Sequence, residues 1–219
     1  MAEGIRWDWV NRHTDDILRT TVEHAQLTVI SVALATAVAL PIAVAVRNRP
    51  VVFATTGALA DVLYTIPSLA LFAFLLPWVG IGTAPAVIGL AAYALTMLIR
   101  NAVVGLRAVP APVREAARGM GLTRTQMLLR IELPLAMPAI FAGLRLATVS
   151  TVGIGTIAVF VGGPGLGELI LNDGIDRDLF LTPIVIGAAI ATAMALVFDA
   201  LLLLALRALT PWTRARGAV

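Results

Sequence analysis

The chain has 219 residues, of which 59% are hydrophobic and only 13% charged, with a mean hydropathy of +0.93 and a formal net charge of +3. Water-soluble domains carry about 25% charged residues, so a chain this apolar takes lipid as its solvent, and its length suffices for five or six spans of about 20 residues. The absence of cysteine excludes disulfides, thiolate-ligated zinc and thiol catalysis, and the sixteen basic residues, all arginine, flank apolar runs instead of forming a soluble basic domain, which argues against nucleic acid as a partner.

Residues 1–24 carry Glu3, Asp8, Asp15, Asp16 and Glu23 ahead of the first apolar run. A cleavable signal needs a short, net-positive leader, so the run is expected to be kept as a span, 25–46, behind an extracytoplasmic leader. Arg47-Asn48-Arg49-Pro50 then forms a tight turn. The apolar stretch 51–79 is too long for one straight span. Pro67 interrupts it and Pro77 closes it, which predicts a kinked helix or two half-helices. A Gly80-Ile81-Gly82-Thr83 turn leads into a span over 84–99. The segment 100–135 holds Arg100, Arg107, Arg114, Arg118, Arg124 and Arg130 against only Glu115 and Glu132. A span over 136–161, a glycine-rich acidic loop over 162–181, a span over 182–206 and a basic tail over 207–219 complete the chain. The expected class is an all-α membrane protein of five spans, or six if the two pieces of 51–79 count separately. Arginine-rich and arginine-poor connections alternate, placing the N-terminus outside and the C-terminus in the cytoplasm.

The basic segment holds the most specific pattern. Pro112 suits the first turn of a short helix, where a missing N–H costs nothing, and Glu115 lies near that helix's positive end. Ala116, Ala117 and Met120 are expected to form a small apolar face, with Arg114 and Arg118 on another side and Gly119 and Gly121 ending the helix. Thr123, with Gln126 three residues on, predicts a capped second helix, and Pro134 and Pro138 set the re-entry into the membrane. The two short helices present a compact, alanine-lined knob.

Glu115-Ala116-Ala117, three residues, Gly121, nine residues, Ile131, one residue and Leu133-Pro134 match at every gap the coupling loop (107–135) of permeases of ATP-binding-cassette importers. The chain resembles that MetI-like, binding-protein-dependent family over 25–206. Tyr64-Thr65-Ile66-Pro67-Ser68-Leu69-Ala70-Leu71-Phe72, Gly119-Met120-Gly121-Leu122-Thr123 and Glu132-Leu133-Pro134-Leu135-Ala136-Met137-Pro138 are similar to its glycine betaine, carnitine and choline members. Gly162-Gly163-Pro164-Gly165-Leu166-Gly167 is similar to their loop after the fourth span, with Pro164 a departure. The resemblance implies a permease for osmoprotectants in the cell membrane, with a second permease, identical or paralogous. It also implies cytoplasmic ATPase subunits that receive Glu115, Ala116, Ala117, Gly119, Gly121, Ile131, Leu133 and Pro134, and an extracytoplasmic solute-binding protein.

Tyr64, Pro67, Ser68, Thr148, Thr151 and Gly165 are candidates for the path or its gate. Thr148, Thr151 and Gly155 share a helix face suited first to close packing. Asp61, Arg145 and Asp199 lie within apolar runs, each about 12–15 Å from the inner end of its helix at 1.5 Å per residue. Each would cost at least about 2.5–3.5 kcal/mol unpaired, so Arg145 is expected to pair with Asp199 or Asp61. Quaternary ammonium ligands favour aromatic faces, which brings in Tyr64, Phe72, Trp78, Tyr93 and Phe160, although packing or lipid anchoring explains each as well.

An amino-acid permease of the same design is the near alternative. An ion-driven transporter is a more distant one, since it calls for internal repeats and has no docking loop. His13 and His24 stand outside any metal or triad pattern, and no phosphate-binding Lys-Ser/Thr loop exists, so no catalytic, metal or cofactor site is expected.

Overall fold

In lipid every backbone polar group needs an internal partner, so apolar runs of this length are restricted to helices. The computed structural model describes residues 5–212, apart from the side chains of Pro50, Ala54, Thr56, Leu59, Ala60, Asp61 and Leu63. Every regular element among the described residues is helical.

A short helix α1 (Trp7–Arg12) leads into α2 (Thr14–Val46). The expected boundary at residue 25 is therefore not where the helix starts. Asp15 and Asp16 occupy its first turn, where negative charge suits the helix end, and Thr20, His24, Leu27 and Ser31 continue one buried stripe across that boundary. Helices α3 (Pro50–Thr65) and α4 (Ser68–Val79) meet at Ile66-Pro67. Pro67 has no N–H to give and pushes the preceding residue out of the helical region. The following helix, α5 (Thr83–Arg107), continues eight residues past the expected 84–99.

Three contacts settle how the broken pair runs. The Arg107 guanidinium lies 4.4 Å from the Phe53 ring centroid. The Tyr93 hydroxyl donates to the Ile66 carbonyl. A Cβ on Gly89 would meet the Phe72 ring at 2.5 Å. As partners advance along α3 and α4, they retreat along α5. The pair is thus one antiparallel crossing with a gap in the middle, which decides for two half-helices in a single span. Tyr93 supplies the donor that the break takes from Ile66.

Helix α6 (Ala111–Gly119) stands alone, whereas α7 (Arg124–Met127), a π-helical turn over Leu128–Glu132 and α8 (Leu133–Gly155) follow without interruption. The expected separate second helix, with a re-entry at the prolines, is instead the foot of a rod reaching from Arg124 to Gly155. The Leu133 N–H reaches back five residues to the Leu128 carbonyl. This wider turn carries the chain into Pro134, whose ring would crowd the carbonyl four residues earlier in a regular helix. The segment after α8 is also more ordered than a loop: a 3-10 turn over Ala158–Val161 and a π-helical stretch over Glu168–Ile175 precede α9 (Leu181–Leu209).

Helix α5 is the hub, packed along its length by α2 and α8 and flanked by α3 and α4, while α9 rides on the outside of α8. Small residues allow the close approach: a Cβ on Gly105 would meet the Ala139 Cβ at 2.7 Å and the Ala136 carbonyl at 3.0 Å. Helix α9 is the least enclosed, and its buried residues stop at Ala191. Among the described residues four helices are long and apolar enough to cross a membrane, and the broken pair makes a fifth passage.

Gly105→Leu should lower the stability of the solubilised chain by about 1–3 kcal/mol, because the interhelical space is already filled. Gly153→Ala, with nothing within 4 Å of the new methyl, should raise it by about 0.5–1 kcal/mol. Thermal unfolding in one detergent separates the two.

Candidate coupling site

The end of α6 is set by local chemistry. Met120 closes the helix, Gly121 takes φ +80°, and the chain folds back with the Gly121 N–H on the Arg118 carbonyl at 2.9 Å and the Leu122 N–H on the Ala117 carbonyl at 3.2 Å. These two bonds are the Schellman pattern, and a left-handed residue at its centre favours glycine. Gly121 alone carries the turn, since Gly119 remains helical. Two residues on, the Thr123 hydroxyl accepts from the Gln126 N–H at 3.3 Å and the Gln126 side chain accepts from the Thr123 N–H at 2.9 Å, the expected capping box.

Burial divides α6 into two faces. Ala117 is 1% exposed and turns inward with the half-buried Arg114; Arg118, one turn on from Arg114, shares their side but is exposed, and Glu115, Ala116, Gly119 and Met120 are exposed on the opposite side. The expected grouping of Ala116, Ala117 and Met120 on one face is therefore corrected: neighbouring residues lie about 100° apart on a helix, and Ala117 is the one used for packing. Met120 is 70% exposed. On the rod that follows, Met127 is buried and Leu128 and Leu133 pack against the bundle core, with Ile131 and Pro134 half-buried beside them.

Arginines fasten this unit to the bundle. Arg114 donates to the Val109 carbonyl at 2.6 Å and more weakly to that of Arg107 at 3.3 Å. Arg107 donates to the Arg47 carbonyl at 2.9 Å, and Arg47 donates through Nε to the Glu132 carboxylate at 3.1 Å and through Nη1 to the Val44 carbonyl. Glu132 is 4% exposed, so removing that partner would strand a buried carboxylate. The sequence reading missed this chain of contacts. Arg47 looked like a topology signal and Glu132 like a loop acid, and 85 residues separate them. The one available signal was that Glu132 is the sole acid in the second half of a basic segment.

Within the bundle Arg145 and Asp199 form a bidentate pair, both bonds 2.7 Å, linking α8 to α9. Asp61 lies outside the described side chains. The candidate path residues do not converge. Tyr64 is exposed and meets the Tyr93 ring edge-on at 5.9 Å beside the Pro67-Ser68 break. Thr151 is buried within the packing face of α8, while Thr148 lines an apolar groove of about 620 Å³ between α2, α8 and α9. Gly165, with φ +124°, presses on His24, whose Nδ1 would lie 2.7 Å from an added Cβ. His24 is wholly buried, and its Nε2 donates to the Val152 carbonyl at 3.0 Å. Beside it Arg19 bonds Glu168 at 3.0 Å, closing the opposite end of the bundle from α6. Of the aromatic candidates, Phe72 and Tyr93 serve packing, while Trp78 and Phe160 lie exposed, so no cage forms.

A family profile described as the inner membrane component of binding-protein-dependent transport systems matches residues 35–215. The chain is 36% identical over 197 residues to a choline transport system permease protein, OpuBB, of Bacillus subtilis, covering 90% of this chain and 89% of that one. It is 36% identical to a carnitine transport permease protein, OpuCB, of Listeria monocytogenes, covering 84% of each chain. It is 38% identical to an osmoprotectant import permease protein, OsmW, of Salmonella typhimurium, covering 83% of this chain and 86% of that one. An inward-facing structure of the MetNI methionine ABC transporter shares the fold with a TM-score of 0.79 at 21% identity, over 96% of this chain and 100% of that one.

Arg47→Met should cost about 3–5 kcal/mol by stranding the buried Glu132 carboxylate, and adding Glu132→Leu should recover most of that loss, as read by thermal unfolding. Arg145→Asp or Asp199→Arg alone should abolish membrane assembly, and the two together should restore it in a quantitative membrane-fraction blot.

Proposed function

Because this chain belongs to the family of binding-protein-dependent transport system inner membrane components, we propose that it imports osmoprotectants of the choline, carnitine and betaine type. The relatives named for choline, carnitine and osmoprotectants each align over 83% or more of it, which supports this substrate class over amino acids. It is a multi-pass membrane permease subunit. Two such chains, identical or paralogous, would enclose the path, since the groove between α2, α8 and α9 stands open on one side of a single chain.

The observation that carries the mechanism is the division of α6. Its outward face offers Ala116, Met120 and Glu115, small or flexible groups that fit a groove on a cytoplasmic ATPase, and its inward face is bound to the bundle. Glu115, Ala116, Gly119 and Gly121 form the docking knob, Ala117 seats it, and Ile131, Leu133 and Pro134 open the rod that moves with it. A displacement of α6 passes through the Gly121 turn into a helix continuous as far as Gly155, and through Arg114, Arg107 and Arg47 into α5 and α2. ATP hydrolysis falls to that partner. The arginine-bearing ends of α2, α5 and α6 gather at one end of the bundle, which supports a cytoplasmic α6 and C-terminus and an extracytoplasmic N-terminal leader (1–24). The opposite end, where Gly165 presses on His24 and Arg19 holds Glu168, is then the surface for the solute-binding protein.

Reconstitution with the matching ATPase and binding protein tests this reading. Choline, carnitine or glycine betaine should stimulate ATP hydrolysis, and methionine should not; the reverse pattern would overturn the substrate class. Gly121→Val forces a branched residue into left-handed backbone and should reduce stimulated hydrolysis and uptake to the basal level with membrane insertion intact.

A further inference from the structure

Behind α6, on the face turned away from the docking surface, lies a cavity of about 500 Å³. Its wall is assembled from three places: Arg47 and Asn48 at the end of α2, Arg114 and Arg118 on the inner face of α6, and Arg124 with Glu132 at the foot of the rod. Four arginines thus face one carboxylate. That carboxylate is already engaged by Arg47 at 3.1 Å. The Nε of Arg114 is buried without a hydrogen-bond partner, although the rest of its guanidinium is used. The guanidinium groups of Arg118 and Arg124 form no hydrogen bond or ion pair among the described residues. Leu122 and Met127 make the remaining wall apolar.

A cavity with this surplus of guanidinium groups calls for an anion, and guanidinium forks match phosphate oxygens in pairs. We propose that it binds the phosphate of an anionic phospholipid from the adjoining leaflet. Arg47 and Asn48 directly follow the last turn of a spanning helix, which sets the cavity at headgroup depth. The apolar wall of Leu122 and Met127 suits the glycerol and first methylenes better than a free ion. Basic pockets beside spanning helices on the cytoplasmic side take lipid headgroups in this manner. A carboxylate from the ATPase fits less well, because the cavity opens on the inner side of α6 and the docking face is the outer one. The bound phosphate would bridge α6, α2 and the rod, so that the charge of the membrane stiffens the coupling unit. The choice of the inner leaflet rests on the orientation proposed above; the binding itself does not.

The full chain in a neutral detergent is titrated with dioctanoyl phosphatidylglycerol, with dioctanoyl phosphatidylcholine, with inorganic phosphate and with an acidic peptide, following thermal unfolding. The phosphatidylglycerol is expected to raise the unfolding temperature saturably, the phosphatidylcholine and the peptide to leave it unmoved, and phosphate to act only at far higher concentration. In R118Q/R124Q, which removes two cations with no partners of their own, the phosphatidylglycerol should bind at least about tenfold more weakly, with the unfolding temperature of the lipid-free chain unchanged. An equal response in variant and wild type, no response to phosphatidylglycerol, or a response to the peptide or free phosphate matching that to the lipid would each overturn the proposal. None of these results depends on transport, so failure here leaves the importer reading standing.

Discussion

A carboxylate enclosed at the foot of α8 must keep a cation beside it, and the α6 end of this molecule is organised by that requirement. Glu132 is held by Arg47, whose own carbonyl accepts from Arg107, whose carbonyl in turn accepts from Arg114 on α6. Each guanidinium therefore satisfies a backbone carbonyl at the end of a helix or in its turn as well as placing a charge. Helices α2, α5 and α8 and the short helix α6 are joined in one series. A neutral apolar cluster could hold the same elements together, but it would let them slide. Directional bonds between groups that cannot be left unpaired resist that, which is what the proposed coupling role would require.

The two routes from α6 differ in stiffness. Toward α8 the path is a helix with widened turns at its foot, rigid because Leu128 and Leu133 are packed into the core. Toward α3 and α4 the crossing is interrupted at Ile66-Pro67, and only the Tyr93 hydroxyl occupies the freed carbonyl. One span can thus move as a rod while its neighbour on α5 has a joint in mid-passage. The close contacts of Gly105 with Ala136 and Ala139 keep the rod against the hub near its Arg124 end, and His24 under Gly165 holds its far end to α2.

Much of this was legible in the sequence because it is local. The turn at Gly121 that ends α6, the capping box of Thr123 and Gln126, and the break at Pro67 depend on neighbours a few residues away, and each appears where the pattern put it. The errors have one cause. Hydropathy marks where lipid should begin, not where a helix does, so α2 starts at Thr14 and α5 runs to Arg107. Proline in sequence reads as a breaker, but Pro134 follows a π-helical turn that accommodates it, and the rod continues. Ala116 and Ala117 are indistinguishable by type; only the bundle decides which is buried. The pair Arg47–Glu132 joins segments distant in the chain, and no periodicity reports that.

The same locality explains why the coupling end could be read in detail and the solute path could not. The unit around α6 is built from consecutive residues whose backbone geometry is dictated by glycine, proline and a cap. A path is built from the facing sides of separate spans, and here its candidates lie at three separate places in one chain: the α3–α4 break, the α2–α8–α9 groove and the loop over His24. The groove lies open along α9, whose C-terminal half has no buried residue, and the Arg145–Asp199 pair is about one-third exposed on its edge. An apolar, unenclosed face bearing a charged pair is costly against lipid, whereas against a second permease both features become contacts. The candidate path residues therefore stay apart within the single chain, and the open groove is the face that a second permease of the proposed kind would close.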